Sequence, residues 1–124
     1  MVVSCPLFVM VGRKRVAMNL GVYRNLHHQI SNKAKLNFGA EVLPQVSRLP
    51  RLNQIEIEYT LFVATQRRMD VANVCSIVDK FLSDVLVTSG KIEDDDFNHV
   101  RKVSYIFGGF DKTNPRVEAK IKEI

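Results

Sequence analysis

The chain has 124 residues, 46% of them apolar and 25% charged, a composition that excludes a disordered or low-complexity segment. Its length fits one domain, 1–124, whose core is small enough that association with a second copy would help it. The net charge of +5 and a pI of about 9.4 favour a polyanionic partner. The charge is uneven: residues 1–50 carry seven Lys/Arg against one acid, Glu41, whereas residues 51–124 carry eleven against twelve. No apolar run approaches the roughly 20 residues of a membrane helix, so no membrane association is expected. The apolar patch Pro6–Val11 is followed rather than preceded by basic residues and lacks a small-residue cleavage site, so no signal peptide is expected either. Two cysteines, Cys5 and Cys75, suit free thiols in a reducing, cytoplasmic setting.

In chain order, Leu7–Val11 is short, apolar and β-favouring, and Gly12 ends it; Arg13, Lys14 and Arg15 follow as a basic turn. Val22, Leu26, Ile30 and Ala34 recur at helical spacing, which predicts a helix from Val22 to about Glu41. Pro44 and Pro50 bound a loop. From Asn53 to Ala64 apolar and polar residues alternate, the clearest strand in the chain. Gln66–Ala72 is read as a loop, with Asn73 as the cap of a helix running to about Val87. Val74, Ile77, Val78, Phe81, Leu82 and Val85 form that helix's apolar stripe, and Gly90 stops it. Val100–Phe107 is a strand, 108–115 a hairpin loop and Arg116–Ile124 a strand. The order β-α-β-α-β-β predicts an α+β domain, a small mixed sheet with two main helices against it.

The chemistry concentrates between Arg67 and Asn98. Asp70, Asp79, Asp84, Asp94, Asp95 and Asp96 fall there, with Arg67 and Arg68 just before the first and Lys80 just after the second. Mg²⁺ wants oxygen ligands and keeps several waters, so two or three carboxylates plus a substrate phosphate suffice to hold it. Asp70, Asp79 and the Asp94–Asp96 run are expected to meet at one end of the domain. Arg67 and Arg68 would clamp a phosphate, and Lys80 would add a point charge. Runs of acids after a helix are also common as plain solvated loop. His27, His28 and His99 have no metal-ligand spacing and are read as surface or phosphate-adjacent. No Walker loop, G-x-S-x-G or C-x-x-C is present.

The ordered set Asp70-x-x-Asn73, Lys80-x-x-x-Asp84, Gly90 and Asp94-Asp95 resembles the RusA family of Holliday junction resolvases, best over residues 52–124. The resemblance implies a Mg²⁺-dependent endodeoxyribonuclease, with Mn²⁺ as substitute, that acts as a homodimer on four-way DNA junctions. It implies a RusA-like fold, cytoplasmic and of a kind common in phages. Carried onto this chain, Asp70 and Asp95, with Asp94, are the metal-binding aspartates and Lys80 the assisting lysine. The chain departs from the pattern at Ala72, where the family has a second aspartate, and in a spacing from Asn73 to Lys80 four residues longer. Four residues are about one helical turn, which keeps Lys80 on nearly the same face. Asp79 is the candidate replacement carboxylate, so the expected catalytic set is Asp70, Asp79, Lys80 and Asp95. Arg13, Lys14, Arg15, Arg24, Lys33 and Lys35, with Arg67 and Arg68, are the expected DNA contacts.

Overall fold

The computed structural model describes residues 1–124. It opens with β1 (Val2–Cys5), β2 (Phe8–Val11) and β3 (Lys14–Ala17), followed by α1 (Leu20–Asn25) and α2 (His28–Val46). Then come β4 (Ile55–Val63), α3 (Val71–Thr88), β5 (Val100–Phe110) and β6 (Arg116–Glu123). The class is α+β, as the pattern of elements predicts. β1, β6, β4 and β5 form one mixed sheet in that spatial order, and β2 and β3 form a separate ribbon. β6 runs antiparallel to both β1 and β4, while β4 and β5 are parallel and joined through α3.

Strict alternation makes β4 the centre of the sheet. Ile55, Ile57, Tyr59, Leu61 and Val63 are buried toward the helices, and Glu56, Glu58, Thr60 and Phe62 occupy the opposite, half-exposed face. α3 buries the predicted stripe together with Cys75 and Leu86. Phe81 meets Tyr23 and Phe38 edge-on, at centroid distances of 5.8 and 5.5 Å, and so joins all three helices. α2 buries Ala34, Phe38, Val42 and Val46, one residue every four.

Five local expectations are corrected. The predicted helix from Val22 divides in two, because Leu26 and His27 are extended (ψ 142° and 139°) and His27 Nδ1 accepts a hydrogen bond from Gln29 N to start α2. Pro44 lies inside α2 instead of ending it; its missing N–H forfeits the bond to the Ala40 carbonyl, and the full burial of Val42 and Val46 on either side offsets that cost. The basic turn is reduced to Gly12 and Arg13. Gly12 takes φ +60°, the position a tight two-residue hairpin reserves for glycine, and Lys14 and Arg15 pair with Val11 and Met10 as β3. Asp70 rather than Asn73 caps α3, its Oδ1 accepting from Ala72 N and Asn73 N. No hairpin joins the last two strands: β5 arrives through α3 on one side of β4, so β6 takes the other side. β1, absent from the sequence reading, is only four residues long and too short for its alternation to register.

The two edges of the sheet differ. The outer edge of β1 is closed by α2: the Gln45 amide accepts from Ser4 N (2.7 Å) and donates to Ser4 O (2.9 Å). The outer edge of β5 has no partner strand along its eleven residues. β5 is held close to β4 near its end by Gly108, where a Cβ would fall 2.5 Å from Thr60 Cγ2.

Candidate functional site

α3 determines where the acidic residues lie. Asp70 caps its N-terminus, at the end where β4 and β5 finish. Asp79 is nine residues farther on, roughly 13 Å along the axis. Asp94, Asp95 and Asp96 follow the opposite end of α3, in the loop that leads back to the start of β5. The expectation that all of them meet at one end is therefore not met within the chain. No three acidic, histidine or cysteine side chains converge to hold a metal ion.

Asp79 and Asp95 do come within electrostatic reach of each other. Asp79 is half-buried on the sheet-facing side of α3. Tyr59 Oη donates to its Oδ1 at 2.6 Å, and Ser83 Oγ donates at 3.2 Å. Burial holds its carboxyl above the usual aspartate range, the two hydrogen bonds work against that shift, and the charge of Asp95 adds to it. Burial first, and Asp79 second, pushes the Tyr59 hydroxyl well up and the Cys75 thiol up to about 11. Tyr105, beside Tyr59 at 6.0 Å between rings, is raised by burial and then by Asp79. Tyr59, Ser83 and Tyr105 escaped sequence reasoning because their strand and helix positions look like ordinary packing.

The acidic loop is organised by His99, which the sequence places at the surface or beside a phosphate. Its Nδ1 lies 2.6 Å from Asp96 Oδ1 and its Nε2 3.6 Å from Glu93 Oε2. The hydrogen bond from His99 lowers the Asp96 carboxyl, and Asp96 in turn raises the His99 imidazole. Asp94 Oδ1 accepts from Asp95 N. Phe97, next to this run, is 79% exposed. An aromatic residue adjoining four consecutive acids was the only sequence signal for it.

The basic residues divide. Arg15 and Arg67 line one open cleft of about 1020 Å³ between the β2–β3 ribbon, α2 and the end of the sheet that carries Asp70. The Arg15 guanidinium lies 3.7 Å over the Phe8 ring. Arg67 and Arg68 line a second hollow with Val71, Phe107 and Phe110. Lys35 is paired with Asp84, which offsets its charge. Lys80 is exposed and reaches toward the Tyr23 ring at 5.5 Å, not toward Asp79. Arg13 sits in the hairpin turn, Lys14 on β3, Arg24 in the last turn of α1 and Lys33 on α2.

Chemically, Mg²⁺ is held elsewhere by one or two carboxylates plus phosphate oxygens, and Asp79 with Asp95 offers that donor class. Asp70 supplies a separate carboxylate beside two arginines. No known protein family matches the chain, and no curated protein matches it. No helix is long and apolar enough to cross a membrane.

Proposed function

We propose that the protein is a metal-dependent, structure-specific endodeoxyribonuclease that acts on branched DNA, with the four-way junction as its substrate and the bacterial cytoplasm as its setting. The observation that carries this reading is a half-buried carboxylate, Asp79, held at its Oδ1 by Tyr59 and Ser83, with the charge of Asp95 acting on it, in a chain that is otherwise basic. A carboxylate raised by burial and by a neighbouring negative charge gains most from a divalent cation. The ordered motif from Asp70 to Asp95, similar to that of RusA resolvases, supplies the reaction class.

A bound Mg²⁺ or Mn²⁺ supplies a Lewis acid for the phosphate and a water of lowered pKa. Asp79 and Asp95 would hold it, with Asp94 adjoining. Tyr59 and Ser83 orient the Asp79 carboxylate, leaving its Oδ2 free of side-chain hydrogen bonds. Arg67 and Arg68, neither in an ion pair, clamp the phosphate beside Asp70. Arg15 and the Phe8 ring offer a charge and an apolar face to a strand lying in the cleft. Two-fold symmetry of a homodimer would match the near two-fold symmetry of a four-way junction and yield paired nicks.

The test is cleavage of a labelled synthetic four-way junction with Mg²⁺, comparing wild type, Asp70→Asn and Asp79→Asn, with linear duplex as control. Paired symmetric nicks that disappear in both variants are expected. Cleavage of flaps or forks in preference to junctions would move the substrate within the same class. Ala72, exposed in the first turn of α3 where the RusA pattern has an acid, favours a second reading, a branched-DNA-binding protein without catalysis. Metal-independent junction binding with no cut in Mg²⁺ or Mn²⁺ would establish that instead.

A further inference from the structure

The two hollows that hold the free arginines share a border. The cleft of about 1020 Å³ and the smaller hollow of about 250 Å³ have Arg67 and Met69 in common, so they form one trough across the end of the sheet where β4 and β5 finish. Cations and apolar faces interleave along it. Phe8 and Arg15 line one end, Arg67 and Met69 the border, and Arg68, Phe107 and Phe110 the other end. Phe8, Met69, Phe107 and Phe110 are 38, 44, 50 and 59% exposed. Single exposed apolar side chains need no explanation, but several gathered in one concavity mark a binding surface. None of the three guanidiniums is in an ion pair, whereas Arg116 in the same cleft is engaged by Asp111 and Glu118. The faces are also pre-positioned: Arg15 Cζ lies 3.7 Å over the Phe8 ring, and Phe107 meets Phe110 edge-on at 5.7 Å.

We infer that the trough is a track for an unpaired single strand of DNA, with phosphates against Arg15, Arg67 and Arg68 and bases stacked on the apolar faces between them. A duplex offers phosphates but hides the faces of its bases, so Phe8, Met69, Phe107 and Phe110 would gain nothing from it. An unpaired strand offers a charge and a ring face at every nucleotide, the same alternation that the trough presents. An acidic peptide would satisfy the arginines alone. The cleft by itself lies at the top of the range of about 300–1,000 Å³ that small-ligand sites occupy, which suits a stretch of chain. Glu41, the one acid lining the trough, repels phosphate and accepts from base N–H groups. It therefore turns bases rather than backbone toward α2. The inference deepens the nuclease reading and rests on it only for the origin of the strand. Asp70 follows Met69 at the border of the two hollows, so the unpaired strand is the part of a branched DNA next to that carboxylate.

The test uses the full chain and short labelled DNA in the presence of a chelator, so that binding is read without cleavage. Fluorescence anisotropy is expected to show at least about tenfold tighter binding of a single strand than of a duplex of equal length at the same salt. Phe8→Leu and Phe110→Leu keep apolar bulk but remove a ring face. Each, with an unchanged circular dichroism spectrum, is expected to weaken single-strand binding by about fivefold or more. Arg15→Ala and Arg68→Ala should each flatten the slope of log affinity against log salt by about 0.7. Lys102→Ala, on the far face of the sheet beside Glu56 and Glu58, should change nothing. A fluorescent aminopurine placed in the strand should be quenched by stacking on the wild type and less so on Phe110→Leu. Equal affinity for single strand and duplex, or ring variants that bind like wild type with an unquenched aminopurine, would overturn the track. Single-strand binding of this kind without any cut of branched DNA in Mg²⁺ would sink the nuclease reading and leave the track standing. Cutting by a chain with no preference for single strands would do the reverse.

Discussion

The two edges of the sheet pose the same physical problem and meet it differently. β1 is four residues long, and α2 satisfies its outward-facing backbone through one side chain, Gln45. β5 is eleven residues long, apolar on its helix side and uncovered. A short edge closed from within is a finished boundary; a long apolar edge left open keeps its backbone groups and apolar side chains exposed. The difference follows from topology. α2 packs against β1 and the β2–β3 ribbon, whereas α3 lies over β4 and reaches only part of β5.

The largest effect should come from forcing β5 off its neighbour. Gly108→Val would push a Cβ into Thr60 and Phe62; overpacking of this kind costs about 1–3 kcal/mol. A fall in Tm of roughly 5–10 °C is expected by calorimetry. Opening the closed edge comes next. Gln45→Ala leaves Ser4 N–H and C=O without their partner, at a cost of about 1–2 kcal/mol in denaturant unfolding. If Gln45→Ala also began to self-associate, the view that this side chain blunts the β1 edge would be sharpened; an unchanged midpoint would break it.

Tyr59→Phe is expected to cost about 1 kcal/mol and to drive the Asp79 carboxyl still higher, read from carboxyl chemical shifts against pH. The sign for Asp79 is set by its raised value. Its contribution to stability is greatest with the proton on, below the ordinary aspartate range, and declines as pH rises through the raised value. Asp79→Asn should flatten that decline. The smallest effect concerns the loop at the start of β5. His99 is raised and Asp96 lowered, so their attraction is full between the two ordinary values. It fades as pH rises through the raised histidine value, and again as pH falls through the lowered aspartate value. Hydrogen exchange of the amides of residues 94–100 should speed up accordingly, and His99→Gln should abolish the pH dependence.

Much of the fold was legible in local pattern. The alternation of β4, the apolar stripe of α3, the stop at Gly90 and the strand containing Val117, Ala119 and Ile121 all follow from periods of 2 and 3.6 that a single segment displays. The division of α1 from α2 was not legible, because Leu26 and Ile30 continue a helical spacing across a break made by backbone angles at Leu26 and His27. The acidic residues were legible as chemistry but not as a constellation. Counting along the chain brought Asp70 and Asp95 together; an eighteen-residue helix, roughly 27 Å long, keeps them apart.

By itself, then, the sequence determined a basic α+β domain with its acids gathered around one amphipathic helix, because charge and periodicity are properties of neighbouring residues. Only the tertiary structure decided that Tyr59 and Ser83 hold Asp79, that His99 pins the acidic loop, and that β6 passes to the far side of β4 and leaves β5 at the edge. Those outcomes depend on which strand pairs with which, and pairing is chosen by the burial of the whole sheet rather than by any one segment.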